Sequence, residues 1–338
     1  MNKTSMNKIE RMRAALEGKS VDRAPYGFWS HFPQVDRDPE ALTRTMVQFV
    51  SDYDTDFIKI MSNGMYAVED FGCECDFSEV ERGGVAKLLS TPIESPEDWK
   101  KVRVLSPDAP ALSRELKTLA LTLKELKGKL PVLFTVFSPL TVAEKLSRGK
   151  LRAHLDGAGG PFLHGALEAI AETVSELSRK AIEMGADGVF FATQTGRRDF
   201  LTPGEYREFG RHYDLKALEG AQAGWCNAVH IHGEDVYFDD FCDYPVHILN
   251  WHVWETAPEI AQAMKKTDKC LMGGIKRFSI TGNSKDEISA QIWASLAQSG
   301  GRRHIVTPGC VVRLPLPEDA LKQVERAITE ASEAILRY

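Results

Sequence analysis

Along the chain, short unbroken runs of apolar and β-branched residues alternate with longer segments in which apolar residues return every three or four positions. The short runs fall at 26–29, 56–61, 131–137, 188–192, 226–231, 246–251, 270–274 and 304–307. They are largely apolar rather than alternating, the pattern of parallel strands covered on both faces. The longer segments carry helical stripes: Leu42, Met46, Phe49 and Val50; Ile170, Val174, Leu177 and Ile182; Ile288, Ile292 and Leu296; Leu321, Val324, Ile328 and Ile335. Ser95-Pro96-Glu97-Asp98 has the residues of a helix start. Eight strand–helix units predict an α/β protein, a (β/α)8 TIM barrel with a helical N-terminal extension. No composition shift divides residues 1–338, so a single domain is expected, with the glycine-rich 157–161 as a link inside it. A doubly wound sheet is disfavoured because no Gly-x-Gly-x-x-Gly follows a predicted strand.

Charge and composition narrow the partners. With 42 Lys+Arg against 48 Asp+Glu the formal charge is −6, which argues against a general nucleic-acid binder. No apolar run reaches the roughly 18–20 residues that cross a bilayer, so no membrane partner is expected. The first twenty residues are charged throughout, unlike a signal peptide. The six cysteines are scattered and read as reduced thiols, which together with the missing signal predicts a cytoplasmic protein.

Barrel enzymes carry their chemistry at the carboxyl ends of the strands. That rule selects Trp29, His31, Ser62, Asn63, Ser138, Thr193, Gln194, His230, His232, Asn250, His252, Lys276, Arg277 and Cys310. Within VHIHG at 229–233, alternate residues on a strand point the same way, so His230 and His232 can converge inside the mouth. Cys310 lies just past the last strand, where a barrel meets its own beginning. Two imidazoles and a thiolate with an open fourth position suit catalytic zinc. The same residues also suit an organic substrate held by hydrogen bonds, with Cys310 an inert thiol. His252 is a candidate general acid or base. Trp29, Phe32 and Trp251 could wall a pocket. Gly274 could let a ligand approach the backbone, and Arg197-Arg198 could clamp an anion. Cys73-x-Cys75 lacks a second pair and reads as structural.

Several strings carry a resemblance: RMRAALEGKSVDRAPYGFW at the start, GADGVFF and LTPGEYREF around the fourth strand, GNSKDEI after the seventh, and TPGCVVRLPLPEDAL near the end. In this order they resemble the uroporphyrinogen decarboxylase superfamily, which implies the barrel independently. The resemblance also marks departures. The decarboxylases place carboxylate-binding arginines where this chain reads YGFWSHFPQ. Their key aspartate falls at Asn63, and their late Gly-His-Gly is replaced by Pro308-Gly309-Cys310. The sister branch of zinc-dependent corrinoid methyltransferases, acting on coenzyme M, is similar in the opposite places. Its His-x-Cys and later Pro-Gly-Cys map onto His230, His232 and Cys310, with histidine in place of the middle cysteine. Imidazole for thiolate removes one negative charge from the ligand set, which argues against coenzyme M itself as acceptor.

The resemblance therefore implies a zinc-dependent, methyltransferase-like enzyme. Its metal ligands are His230, His232 and Cys310, with His252 accepting a proton and Asn63 and Gln194 orienting substrate. Trp29, His31, Asn250 and Gly274 line the cofactor side. No Asp-x-His-x-x-Gly corrinoid motif is present, so a corrinoid would arrive on a separate protein. A cofactor-free decarboxylase of a tetrapyrrole or other carboxylated substrate is the second expectation. A non-catalytic barrel that carries a corrinoid or tetrapyrrole is the third. Methyl donor, acceptor and oligomeric state are not encoded in any of these patterns.

Overall fold

The computed structural model describes residues 5–79, 86–156, 160–317 and 319–336. Residues 157–159 of the glycine-rich link lie outside the described residues. The strands, in chain order, are β1 (Ile58–Lys59), β2 (Glu74–Asp76), β3 (Lys87–Ser90), β4 (Val132–Phe137), β5 (Gly188–Thr193), β6 (Ala228–Ile231), β7 (Ile248–Trp251), β8 (Cys270–Ile275) and β9 (His304–Pro308). Seven of them form one parallel sheet in the order β1-β4-β5-β6-β7-β8-β9, curled and flanked by helices as in a TIM barrel.

The segment around Tyr26 closes the ring. Tyr26 bridges Val306 in parallel, Val306 N–H donates to Pro25 O at 2.8 Å, and Asp56 N–H donates to Tyr26 O at 2.8 Å. The predicted strand at 26–29 is thus reduced to one bridge. Its backbone donors are diverted: Tyr26 N–H goes to the Asp56 carboxylate at 2.9 Å and Ser30 N–H to the Met61 sulfur at 3.4 Å. The predicted strand at 56–61 is short for a similar reason, since Met61 N–H turns to the Met46 sulfur at 3.1 Å. The antiparallel hairpin of β2 and β3, which carries Cys75, was not legible as strands.

The helices form where apolar residues recur at helical spacing. Pro39–Asp52 starts with the Asp38 carboxylate accepting from Ala41 N–H at 3.0 Å and buries Leu42, Met46, Phe49 and Val50. Gly160–Glu183 buries Ile170, Val174 and Leu177. Lys285–Ser299 buries Ile288, Ile292 and Leu296, and Ala320–Ile335 buries Leu321, Val324 and Ile328. The start at Ser95 yields a six-residue 3-10 turn, Pro96–Lys101, rather than an α-helix.

The N-terminal extension is the helix Lys8–Leu16, pinned by charge. Its Arg11 bonds Asp22 at 2.7 Å and the fully buried Asp56 at 2.6 Å. Burial would raise the Asp22 carboxyl, but Arg11 and the N–H groups of Met6 and Arg23 outweigh it and hold it down at about 2. All six cysteines are unpaired. Among the described residues no helix is long and apolar enough to cross a membrane.

Candidate metal centre

Register places the key side chains. Ala192, His230, Asn250 and Met272 are successive cross-strand partners on β5, β6, β7 and β8, so they share one level and one face. The inward position of His230 sets its ring on Phe190, with centroids 5.4 Å apart and 23° between planes. Trp29 meets Phe190 edge-on at 5.4 Å, so the two aromatics form a floor beneath the imidazole.

The hydrogen bonds around Asn250 fix the tautomer of His230. Asn250 Nδ2 donates to Met272 O at 2.9 Å, which turns Oδ1 toward His230 Nδ1. That oxygen can only accept, so the His230 proton sits on Nδ1 and the Nε2 lone pair faces Cys310, 3.8 Å from its sulfur. His232 Nδ1 lies 3.7 Å from the same sulfur. His252 completes the group: its ring centroid is 4.8 Å from that of His232, and one donor atom from each of the four residues lies within 4.8 Å of all the others.

Cys310 reaches this point because Gly309 lets the end of β9 lie flat against the end of β7. A Cβ on residue 309 would fall 2.7 Å from His252 Cα and 3.1 Å from Trp251 O. Burial alone would raise the Cys310 thiol, but the facing His230, His232 and His252 pull it well below its ordinary value, toward thiolate. Burial also pulls His230 down, keeping its imidazole neutral against the opposing pull of Cys310. His252 goes the other way: although burial disfavours its cation, Cys310 and the Glu255 carboxylate 3.6 Å from Nδ1 raise it to about 9.

The donor set fits a zinc ion. Zn–S and Zn–N bonds of about 2.3 and 2.0 Å in a tetrahedron put ligand atoms roughly 3.3–3.6 Å apart. The two S···N separations above need contract only slightly to match. His252 Nε2 is buried without a hydrogen-bond partner, an orphaned donor atom in the middle of the group. His230, His232 and Cys310, selected from sequence as ligands, are thus together. His252, selected as an acid or base, stands among them as a fourth potential ligand.

The other sequence candidates are dispersed. Asn63 donates from Nδ2 to Asp36 at 3.3 Å and accepts Met65 N–H at 2.9 Å. Gln194 is held by its backbone, its N–H donating to Thr141 Oγ1 at 2.9 Å. His31 is exposed, and the protein around it, with help from Lys59, pushes its imidazole down to about 4. Gly274 faces the helix behind β8, where a Cβ would fall 2.7 Å from Ser295 Oγ. Trp251 bonds Pro258 O at 3.0 Å, while Phe32 packs on Phe49. Arg197 and Arg198 are paired with Asp199 and Asp235. Burial raises the Cys73 thiol to about 12, an inert group.

Sequence reasoning missed Phe190, Glu255 and Lys59. Lys59 did carry a signal, as the one charged residue inside the apolar run FIKIM.

A family model described as uroporphyrinogen decarboxylase (URO-D) matches residues 7–331. Among curated proteins, the uroporphyrinogen decarboxylase of Hydrogenovibrio crunogenus is 28% identical over 198 residues, 56% of this chain and 53% of that protein. That of Bordetella petrii is 24% identical over 190 residues, 54% of this chain and 51% of that protein. The chain thus spans about half the length of the curated relatives it matches. Among solved structures, a methyltransferase from Methanosarcina mazei superposes with a TM-score of 0.83 at 18% identity, covering 96% of this chain and 99% of its own. A B12-independent methionine synthase from Shewanella sp. W3-18-1 superposes with a TM-score of 0.51 at 15% identity, covering 93% and 94%. At such identities the likeness is one of fold. The match of the family model over most of the sequence places the chain in the uroporphyrinogen decarboxylase family.

Proposed function

We propose that the protein is a zinc-dependent methyltransferase-like enzyme that moves a methyl group from a corrinoid, or a similar donor, to a thiol or other small acceptor. The observation that carries this reading is the meeting of His230, His232, His252 and Cys310 within 4.8 Å, with a buried imidazole nitrogen left unpartnered. His230, His232 and Cys310 would hold the ion. Zinc bound there would lower the pKa of an acceptor thiol and supply a thiolate at neutral pH.

The chain's own residues prepare that chemistry. Asn250 fixes the lone pair of His230, and the Phe190 ring keeps water from one face of the imidazole. Cys310 and Glu255 together hold a proton on His252 in the metal-free protein, so His252 becomes a proton acceptor only after giving that proton up. Of the four, His230 alone lies inside a strand, while His232, His252 and Cys310 follow the ends of β6, β7 and β9; with three of the four holding the ion, a substrate thiol would take the fourth position. The corrinoid would be delivered by a separate protein.

Metal analysis of the purified protein beside its Cys310→Ser variant tests the reading. The expected result is about one zinc per wild-type chain and weakened retention in the variant. Full activity without bound metal would end it.

Decarboxylation is the second reading, favoured by one local observation. Beside Asn63 stands the buried carboxyl of Asp36, raised to about 6 by burial against the opposing bond from Asn63. CO₂ release insensitive to chelator, and abolished in Asp36→Asn, would favour it.

A further inference from the structure

Two histidines bracket β7. His252, past its carboxyl end, stands in the metal centre, whereas His247, before its amino end, lines a separate cavity of about 590 Å³. The other walls are the turn that leads into β8, with Lys265 and Lys269, and Leu16, the last residue of the helix Lys8–Leu16. Barrel enzymes carry their reactive groups at the opposite end, so the proposed chemistry makes no use of this space. Its volume is that of a small-molecule pocket.

The cavity presents donors whose charge is not met. Asn227 N–H donates to His247 Nδ1 at 3.1 Å, so that nitrogen keeps its lone pair and the neutral ring carries its proton on Nε2. Burial, with help from Lys269, lowers the His247 pKa and keeps the ring neutral at pH 7. Lys269 is half-buried and donates to Val246 O at 2.8 Å, which leaves two of its three ammonium donors without an acceptor. Lys265 is exposed and has no ion pair among the described residues. The surrounding carboxylates are each turned to another cation. Asp239 takes Lys266 at 2.6 and 2.8 Å, Asp268 takes Arg303 at 2.6 Å, and Asp243 takes Arg211 at 2.7 Å. Two ammonium groups and one imidazole N–H therefore share a cavity with no anion to receive them.

We infer that this cavity binds a phosphate group, free or at the end of a small organic ester, with Lys265, Lys269 and the Nε2–H of His247 as its donors. Two positive charges match a phosphate dianion, and donors on the two loops before β7 and β8 suit an anion that accepts hydrogen bonds in several directions. Leu16 and Met264 supply an apolar side against which the organic part of an ester would lie. A bound phosphate ties the N-terminal helix to the loops that begin β7 and β8, and so stabilises the folded chain by mass action. None of this depends on the methyltransferase reading.

The test is calorimetry on the intact protein with inorganic phosphate, phenyl phosphate and adenosine monophosphate, beside phenol and adenosine. At least one of the three phosphates is expected to bind with a Kd below about 1 mM, and phenol and adenosine at least about tenfold more weakly. Lys265→Met and Lys269→Met should each weaken phosphate binding by about tenfold, and Lys265→Arg should restore most of it. Binding should persist in Cys310→Ser and in Lys129→Met, an exposed lysine on the loop before β4. Inorganic phosphate binding as tightly as the esters assigns the site to the free ion, and tighter ester binding assigns it to the ester. No phosphate reaching that affinity overturns the inference, and so does an equal loss in Lys129→Met, which would mark diffuse attraction. Binding lost in Cys310→Ser but kept in both lysine variants would put the anion at the metal centre and overturn it as well. Should Lys269→Met fail to fold by circular dichroism, the exposed Lys265→Met decides the same question.

Discussion

Gly309 packs directly on the backbone of His252, and this contact delivers the Cys310 sulfur to three imidazoles. A methyl group at residue 309 would collide with the His252 Cα and the Trp251 carbonyl, both main-chain atoms that cannot rotate away. Gly309→Ala is therefore expected to push the end of β9 outward and displace the sulfur. Affinity for zinc should fall by about 10- to 100-fold, a range measured for misplaced ligand supports. Competition with a chromogenic chelator reads this, and an unchanged affinity would show that the close approach is incidental.

The barrel and the grouping of His230, His232 and Cys310 were legible in the sequence because both repeat simple local rules. Unbroken apolar runs mark parallel strands, and two histidines two residues apart on a strand must share a face. What was not legible depends on the closure of the ring. His252 read as an acid or base because its nearness to His230 comes from the β6–β7 register, which no local pattern encodes. The shortening of the strand at Tyr26 comes from the Asp56 carboxylate taking its N–H, thirty residues away in sequence. Lys59 stood out as a charge within an apolar run, but its place over the ring of Phe190 could not be read there.

Asn250 is expected to govern metal binding without touching the metal. Replacing it with leucine, of similar size, removes the acceptor that keeps the His230 proton on Nδ1 and leaves the Met272 carbonyl without its donor. Zinc affinity should drop by about 10- to 100-fold, with stability lowered by about 1–3 kcal/mol for the unsatisfied buried groups. Chelator competition and urea unfolding measure the two effects separately. A loss of stability with full zinc affinity would assign Asn250 to packing alone.

The N-terminal helix should be held chiefly by Arg11. Arg11→Ala leaves Asp56, fully buried, with Arg23 as its remaining ion-pair partner at the side chain, and leaves Asp22 without its guanidinium. A loss of about 2 kcal/mol is expected, less than a buried charge stripped of every partner would cost. The acid response carries a definite sign. Asp22 is depressed in the folded protein, so its contribution is whole above its ordinary value near 4 and disappears as pH falls through about 2. The Arg11→Ala variant should lose this acid-labile portion. Wild type and variant would then differ most in urea stability above pH 4 and converge toward pH 2, whereas a constant gap across that range would place the effect in packing.

Proton counting decides whether His252 is a fourth ligand. In the metal-free protein Cys310 is held toward thiolate and His230 toward neutral, so neither has a proton to surrender near pH 7.5. His252, raised to about 9, still carries one at that pH and must lose it to bind metal through its ring. Zinc added in weak buffer should therefore release about one more proton per chain from the wild type than from His252→Ala. By the same linkage, the apparent affinity of the wild type should climb roughly tenfold per pH unit from 7 toward 9 and then level off, while that of the variant rises less steeply. Equal proton release from the two proteins would mean that His252 keeps its proton beside Glu255 when metal is bound. That result would leave three protein ligands and an open fourth position, the arrangement the sequence alone suggested.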